Sequence, residues 1–292
     1  MKKALLQLNA AVFLWGFTGV LGRLISLNET WLVWYRLLIT VITLWVLFFF
    51  FKKIKKLPAS SILYIGSIGT VQALHWVCFY GSIKYANVTI ALTCLSTSEL
   101  LSSLLEPIVA RTRFDPVEII LGLFAIAGIV VIYNTHLQFS IGIVIGLLSA
   151  LLTVIVSVLN KQMIGKWEAS SITLYQLTGG FVGLTLLIPA LQSVLQAPHA
   201  VPQPLDWLWL VILSWVCTIL TFFFYINSLK KVSAFTMNLT LTLEPIYGIA
   251  LAFFIFKENK NLSNWFYLGF GLIVLAVVLH TVRILRATKA AT

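Results

Sequence analysis

Apolar residues fill long runs of this chain, and the short polar stretches between the runs carry most of its charge. Ten runs of roughly 18 to 25 residues stand out, each long enough for a helical crossing of a bilayer. They cover approximately 5–24, 31–51, 61–83, 88–110, 117–134, 140–163, 171–191, 206–229, 233–256 and 263–284. Apolar character is continuous within a run and shows no period-two alternation, so the pattern predicts helices and not barrel strands. The expected class is an all-α integral membrane protein of ten transmembrane helices, which leaves almost nothing for a soluble domain. The first run follows Lys2 and Lys3 and is longer than the apolar core of a secretory signal. With no convincing small-residue cleavage site before Arg23, it reads as a retained first span.

Composition supports this class and removes others. The chain is 60% hydrophobic and only 10% charged, with a mean hydropathy of +1.00, far from globular values. Its net charge of +11 does not make a nucleic-acid surface, because the basic residues flank the apolar runs. With a cytoplasmic N-terminus, that side would hold Lys2, Lys3, Lys52, Lys53, Lys55, Lys56, Arg111, Arg113, Lys161, Lys166, Lys230, Lys231, Arg283, Arg286 and Lys289, 15 of the 20 Lys and Arg. The outer loops would hold Lys84, Lys257 and Lys260, with Arg23 and Arg36 near the outer ends of helices 1 and 2. Both termini are therefore expected in the cytoplasm. The longest outer loop, LQSVLQAPHAVPQPLD, has three prolines and is expected to form an irregular cap. Cys78, Cys94 and Cys217 lie inside apolar runs without ligand-like spacing, so neither a disulfide framework nor a metal site is indicated. No Walker loop, HExxH or G-x-S-x-G motif is present, and no cofactor is implied.

A few polar groups interrupt the apolar runs. Glu99 sits at the midpoint of the fourth run and Glu244 near the midpoint of the ninth. An ionisable group at that depth costs roughly 2.5 kcal/mol or more, so it is a functional-site hypothesis facing a protein interior or a watery cavity. Three roles stay open for these carboxylates: exchanging a proton, binding an ammonium group, or remaining protonated on a neighbouring hydroxyl. Helix 4 would place Ser96, Glu99, Ser102 or Ser103, and Glu106 on one face, with Glu106 close to the cytoplasmic end. Helix 9 would do the same with Thr240, Glu244, Tyr247 and Gly248. In helix 3, Gln72, His75, Trp76, Phe79 and Ser82 or Ile83 share a face. That face suits an amphipathic solute, although an aromatic stripe is equally ordinary packing, and His75 is either titratable or a structural hydrogen-bond partner. Arg36 either snorkels to the interface or recognises a carboxylate. Pro245 removes a helical hydrogen bond beside Glu244 and is a candidate hinge.

The chain also repeats itself. Ser82-Ile83-Lys84 followed by Ala86-Asn87-Val88 parallels Ser228-Leu229-Lys230 followed by Val232-Ser233-Ala234, a displacement of 146 residues. The same displacement sets Glu99 on Pro245 and Thr112 on Glu258, and an offset of 140 sets Tyr35-Arg36 on Tyr175-Gln176. Each unit, 1–136 and 137–292, would hold five helices. Because five is odd, the second enters the membrane from the opposite side, as an inverted repeat. Gly16, Gly19 and Gly22, Gly142 and Gly146, and Gly179 and Gly183 are expected to form grooves for close helix approach.

The order of several short motifs resembles the EamA-type permeases of the drug/metabolite transporter superfamily. They are Leu14-Trp15-Gly16-Phe17-Thr18-Gly19, Trp34-Tyr35-Arg36-Leu37-Leu38, Leu243-Glu244-Pro245-Ile246-Tyr247-Gly248, Phe256-Lys257-Glu258, and Gly269 with Gly271 in the last helix. The resemblance spans essentially the whole chain. It implies a bacterial inner-membrane secondary transporter, an exporter of small metabolites such as amino acids, with a central cavity between two halves and protons as a candidate coupling ion. The candidate substrate-binding set is Trp15, Arg36, Gln72, His75, Trp76, Phe79, Tyr175, Gln176 and Tyr247, beside the carboxylates Glu99 and Glu244. In two places the chain departs from the family pattern: Glu99 stands where proline is common and Thr112 where glutamate is common. The alternative class is an integral-membrane enzyme or lipid-handling protein, which would need acid, base or metal groups clustered at one interface.

Overall fold

Short polar caps punctuate the apolar runs, and each begins a helix. The computed structural model describes residues 2–110, 115–163, 166–195, 200–229 and 240–290. Over these the chain forms α1 (Lys2–Leu24), α2 (Glu29–Phe50), α3 (Ala59–Tyr85), α4 (Val88–Ser96), α5 (Ser98–Ala110), α6 (Pro116–Thr135), α7 (Ser140–Lys161), α8 (Ala169–Leu195), α9 (Pro204–Val211), α10 (Thr221–Leu229), α11 (Leu243–Phe256) and α12 (Asn264–Ala290). A π-helical stretch, Ile212–Leu220, joins α9 to α10 into one rod. Asn28 accepts the Trp31 N–H at 3.0 Å, Asn87 the Ile90 N–H at 2.8 Å and Asp115 the Val117 N–H at 3.0 Å, each satisfying a free donor of a helix start. Eight rods are long and apolar enough to cross a bilayer: α1, α2, α3, α6, α7, α8, α9–α10 and α12. The α4–α5 pair and α11 are the shorter apolar pieces. Thr112 and the start of the ninth predicted run, 233–239, lie outside the described residues.

Two sequence expectations change. The fourth run is not one helix: Thr97 interrupts it between α4 and α5. Around the break Thr93, Ser96 and Thr97 donate their hydroxyls to the carbonyls of Thr89, Thr93 and Cys94, a local competition with the helix ladder. The eighth run is helical but π-wound over nine residues, a geometry that hydrophobic pattern does not encode. Pro245 stands in the first turn of α11, just past the turn at Thr242.

Contacts fix the direction of each rod. The ends of α1, α11 and α6 meet the starts of α4, α9 and α12 at one face of the bundle. At the other face, the starts of α1 and α6 meet the ends of α10 and α12. Consequently α1 runs toward the first face and α7 runs away from it, the antiparallel relation expected of an inverted duplication. Packing repeats with the halves exchanged: α1 lies against α10 and α11, while α7 lies against α3 and α4. Small residues let these pairs approach. A Cβ on Gly16 would come within 2.9 Å of the Glu244 carbonyl oxygen and the Gly248 nitrogen. A Cβ on Gly69 would run into the Gln176 carbonyl, and α6 and α12 meet at Gly128 and Gly269. Outward, Leu6, Leu63, Leu186 and Phe254 expose apolar surface of the kind a lipid environment accepts.

Candidate functional site

Arg36 lies two turns into α2, about 10 Å from its start at ~1.5 Å per residue, and is only 4% exposed. It does not snorkel to an interface. Its Nη1 donates to the Tyr80 hydroxyl at 2.9 Å, and its Nε and Nη2 donate to Thr218 Oγ1 at 3.2 and 2.9 Å. The guanidinium carbon stands 3.9 Å from the Trp76 ring centre, a cation–π contact. Thr218 belongs to the π-helical stretch and donates its own hydroxyl to the Leu213 carbonyl five residues back. Ser214, one turn earlier, donates to the Arg36 carbonyl at 3.1 Å, so the π segment grips α2 on both main chain and side chain. Every partner of the guanidinium is neutral, and among the described residues it has no ion pair with a carboxylate.

His75, one position before Trp76, is 7% exposed. Its Nδ1 is 2.9 Å from the Ser149 carbonyl of α7, which can only accept, so Nδ1 carries the hydrogen. Ser149 Oγ is then free to donate to the His75 carbonyl at 3.2 Å. Phe79 stacks beside the imidazole at 6.4 Å between ring centres. Gln72 is half-buried a turn below on the same helix.

A second aromatic group continues from the first along α1 and the eighth rod. Trp15 donates its indole N–H to Thr221 Oγ1 at 3.0 Å and lies 5.5 Å from the Tyr225 ring. Thr221 in turn donates to the Thr218 carbonyl at 3.0 Å, which links this cluster to the Arg36 acceptor. Tyr247 packs into the same group with Leu8, Val12 and Leu243, and its ring meets Phe13 edge-on at 5.7 Å. Glu244, the second residue of α11, has its main-chain carbonyl directly against Gly16 of α1. The break at Thr97 in the first half and the break at Thr242 before α11 have nearly the same backbone angles, φ −72°, ψ −12° and φ −64°, ψ −13°. Under the 146-residue displacement these positions are one residue apart. Glu99 and Glu244 each follow their break by two residues. The side chains of Glu99, Ser103 and Glu106 lie outside the described residues.

Charge reappears where rod ends meet. Glu258, 2% exposed, accepts the Val88 and Thr89 N–H groups at 3.1 and 2.8 Å and the Thr89 hydroxyl at 2.5 Å, and pairs with Arg23. A carboxylate at the start of α4 satisfies free N–H groups and opposes the helix dipole. Asp206 accepts the Ser26 N–H and hydroxyl at 2.8 and 2.6 Å, and Lys84 donates to the Ile25 carbonyl. The Glu258 and Asp206 contacts fasten the first half to the second at one face. At the opposite face Glu118 binds His280 and Arg283, Asp115 binds Arg283, and Lys55 binds Glu168.

The structure therefore brings Arg36, His75, Trp76 and Phe79 into one neighbourhood, with Trp15 and Tyr247 in the adjoining one. Tyr175 is elsewhere: its hydroxyl holds the Lys55 carbonyl in the α2–α3 connection at 2.8 Å. Gln176 is buried at the α8–α3 crossing, where its carbonyl abuts Gly69. Sequence reasoning did not find Tyr80, Thr218, Ser149 or the capping role of Glu258. Only Glu258 carried a signal, its mismatch with Thr112 across the repeat.

Fold and site together define a multi-pass α-helical membrane protein made of two related halves around a polar, aromatic centre. The EamA-like transporter family matches residues 2–134 and again 140–282, and the chain belongs to that family. The family is one of transporters and not of enzymes, and it implies a small-molecule substrate. No curated protein matches. One solved structure, described only as a crystal structure of a protein, aligns with a TM-score of 0.61 at 16% identity, covering 96% of this chain and 98% of its own, and so shares the fold.

Proposed function

We propose that this protein is a gradient-driven exporter of small organic metabolites such as amino acids, acting by alternating access around a mid-bundle site. The observation that carries this reading is the pair of interrupted helices at equivalent places in the two halves, each followed by a carboxylate. Interrupted spans at matched positions of inverted repeats free main-chain groups at mid-membrane and are where secondary transporters bind their cargo. Trp15, Arg36, Gln72, His75, Trp76, Phe79 and Tyr247 contribute to the substrate site, and Glu99 and Glu244 bind cargo or exchange protons. The units run 1–136 and 137–292. The membrane is a bacterial inner membrane with both termini cytoplasmic, a reading supported by the basic clusters beside the termini. Glu258 and Asp206 then lie at the outer face and hold it shut.

The test is flux from proteoliposomes loaded with a panel of amino acids and other small metabolites. Glu99→Gln and Glu244→Gln are each expected to lower flux or flatten its pH dependence. Unchanged flux and pH profile in both variants would remove the carboxylates from the mechanism, and no flux of any panel member by the wild type would remove the transport reading.

A further inference from the structure

We propose that the Arg36 guanidinium is an anion subsite, and that the cargo carries a carboxylate, which has no carboxylate of the protein's own to displace there among the described residues. This rests on the transport reading above and names the substrate class of that site. The guanidinium has five N–H donors in a fixed fork. Three are assigned, two to Thr218 and one to Tyr80, which leaves two hydrogens without a protein acceptor. The residue is only 4% exposed and sits two turns inside the start of α2. A buried full charge among neutral partners is costly unless a counter-charge arrives. Structural arginines at such depth are ordinarily paired with an acid, and here the surrounding oxygens belong to hydroxyls and the surrounding surface is the Trp76 ring.

A second group points to the same ligand. With Nδ1–H committed to the Ser149 carbonyl, the neutral His75 ring keeps a lone pair on Nε2, for which the described residues supply no donor. His75 and Arg36 lie on neighbouring helices with Trp76 adjacent in sequence to one and stacked on the other. The neighbourhood thus offers two further guanidinium N–H donors and one imidazole acceptor beside the Trp76 ring. An organic anion bearing a hydroxyl or N–H donor satisfies all three. An ammonium-only solute satisfies the acceptor and meets the uncompensated positive charge. A forked guanidinium also favours the planar, bidentate geometry of a carboxylate over a spherical ion.

The experiment uses the full-length protein in detergent and reads its melting temperature against matched solutes. The set is lactate, succinate and phenylacetate, the corresponding amides, the amines of the same carbon skeletons, and sodium chloride and phosphate as simple-anion controls. At least one carboxylate is expected to stabilise the wild type at a concentration roughly tenfold or more below its amide, with no stabilisation by the amines. Arg36→Gln is expected to erase the difference. Arg36→Lys keeps the charge without the fork, so it is expected to keep the preference at weaker affinity, and it decides the matter if Arg36→Gln does not fold. The proposal is overturned if amines or amides stabilise as well as carboxylates, if no carboxylate stabilises, if phosphate or chloride alone reproduces the effect, or if Arg36→Lys binds with wild-type affinity. Flux separates the two readings. Carboxylate binding without flux retains the anion site and removes transport, whereas flux of cations without carboxylate binding retains transport and removes the anion site.

Discussion

Thr218 shows how much of the site rests on single hydroxyls. Replacing it with valine keeps the volume but takes away the acceptor shared by two guanidinium nitrogens. Leaving buried charged donors unmet costs about 1–3 kcal/mol or more, so Thr218→Val is expected to lower the melting temperature in detergent, and Thr43→Val, at a half-buried position near the lipid face, much less. A stability equal to wild type would mean that Arg36 is held by something other than Thr218. Glycines offer a second contrast at this scale. A methyl group on Gly69 has no room against the Gln176 carbonyl, whereas Gly271 has nothing within 4 Å of an added Cβ. Gly69→Ala is expected to destabilise by about 1–3 kcal/mol or more from overpacking, while Gly271→Ala is expected to be neutral or stabilising in the same thermal assay. The sequence made Arg36 visible as a charge in an apolar run. It could not show what the charge touches, because Tyr80 and Thr218 are unremarkable residues until their helices converge on Arg36.

At the scale of elements, hydrophobic length located the spans well and said little about their winding. The Thr97 break and the π stretch depend on which hydroxyls turn back onto carbonyls and on what the neighbouring rod requires, neither of which is periodic. The repeat offset came nearer: it set Glu99 on Pro245, and both prove to stand just past a break. Connections between elements carry their own chemistry. His136, between α6 and α7, accepts from Ser263 Oγ at 2.9 Å, and burial holds its imidazole below the ordinary 6.5. The unfolded chain therefore takes up a proton near pH 6.5 that the folded form resists. The contribution of this junction is complete above that pH and is lost as pH falls toward the depressed value. Melting temperature is expected to drop on acidification below 6.5, with a shallower drop in His136→Gln; parallel curves for the two proteins would assign the pH dependence to other groups. Glu258, capping α4 from the end of α11, is expected to act on access instead. Glu258→Gln replaces an acceptor by an amide beside three donors and loses the pair with Arg23. A cysteine introduced at Tyr85, exposed at that face, should then react faster with a water-soluble maleimide in membranes, after the native thiols have been replaced.

For the whole molecule, the arrangement of contacts bears on what moves. The two family-matched halves are not separate lobes: α3 is packed between α7 and α8, α6 lies along α12, and α1 lies against α10 and α11, so the main helix pairs join one half to the other. Rocking of one repeat as a rigid body against the other would break all of these at once, including the glycine crossings at Gly69 and Gly128 that have no slack. The moving bodies are then expected to be mixed groups of helices drawn from both halves, with the broken α4–α5 and α11 between them. The same interleaving makes a prediction about assembly. A half expressed alone exposes the surfaces that α3, α6 and α1 normally bury, and in a membrane those surfaces are shaped for each other by small residues and hydroxyls. Fragments 1–136 and 137–292, separated at the turn between α6 and α7, are each expected to be lost or to aggregate when made alone. Made together, they are expected to co-purify and to melt within a few degrees of the intact chain, the covalent link contributing only the modest loop-closure entropy of a short connection. A single half that is monodisperse and melts cooperatively would show the repeats to be independent bodies and would restore whole-repeat rocking as the motion.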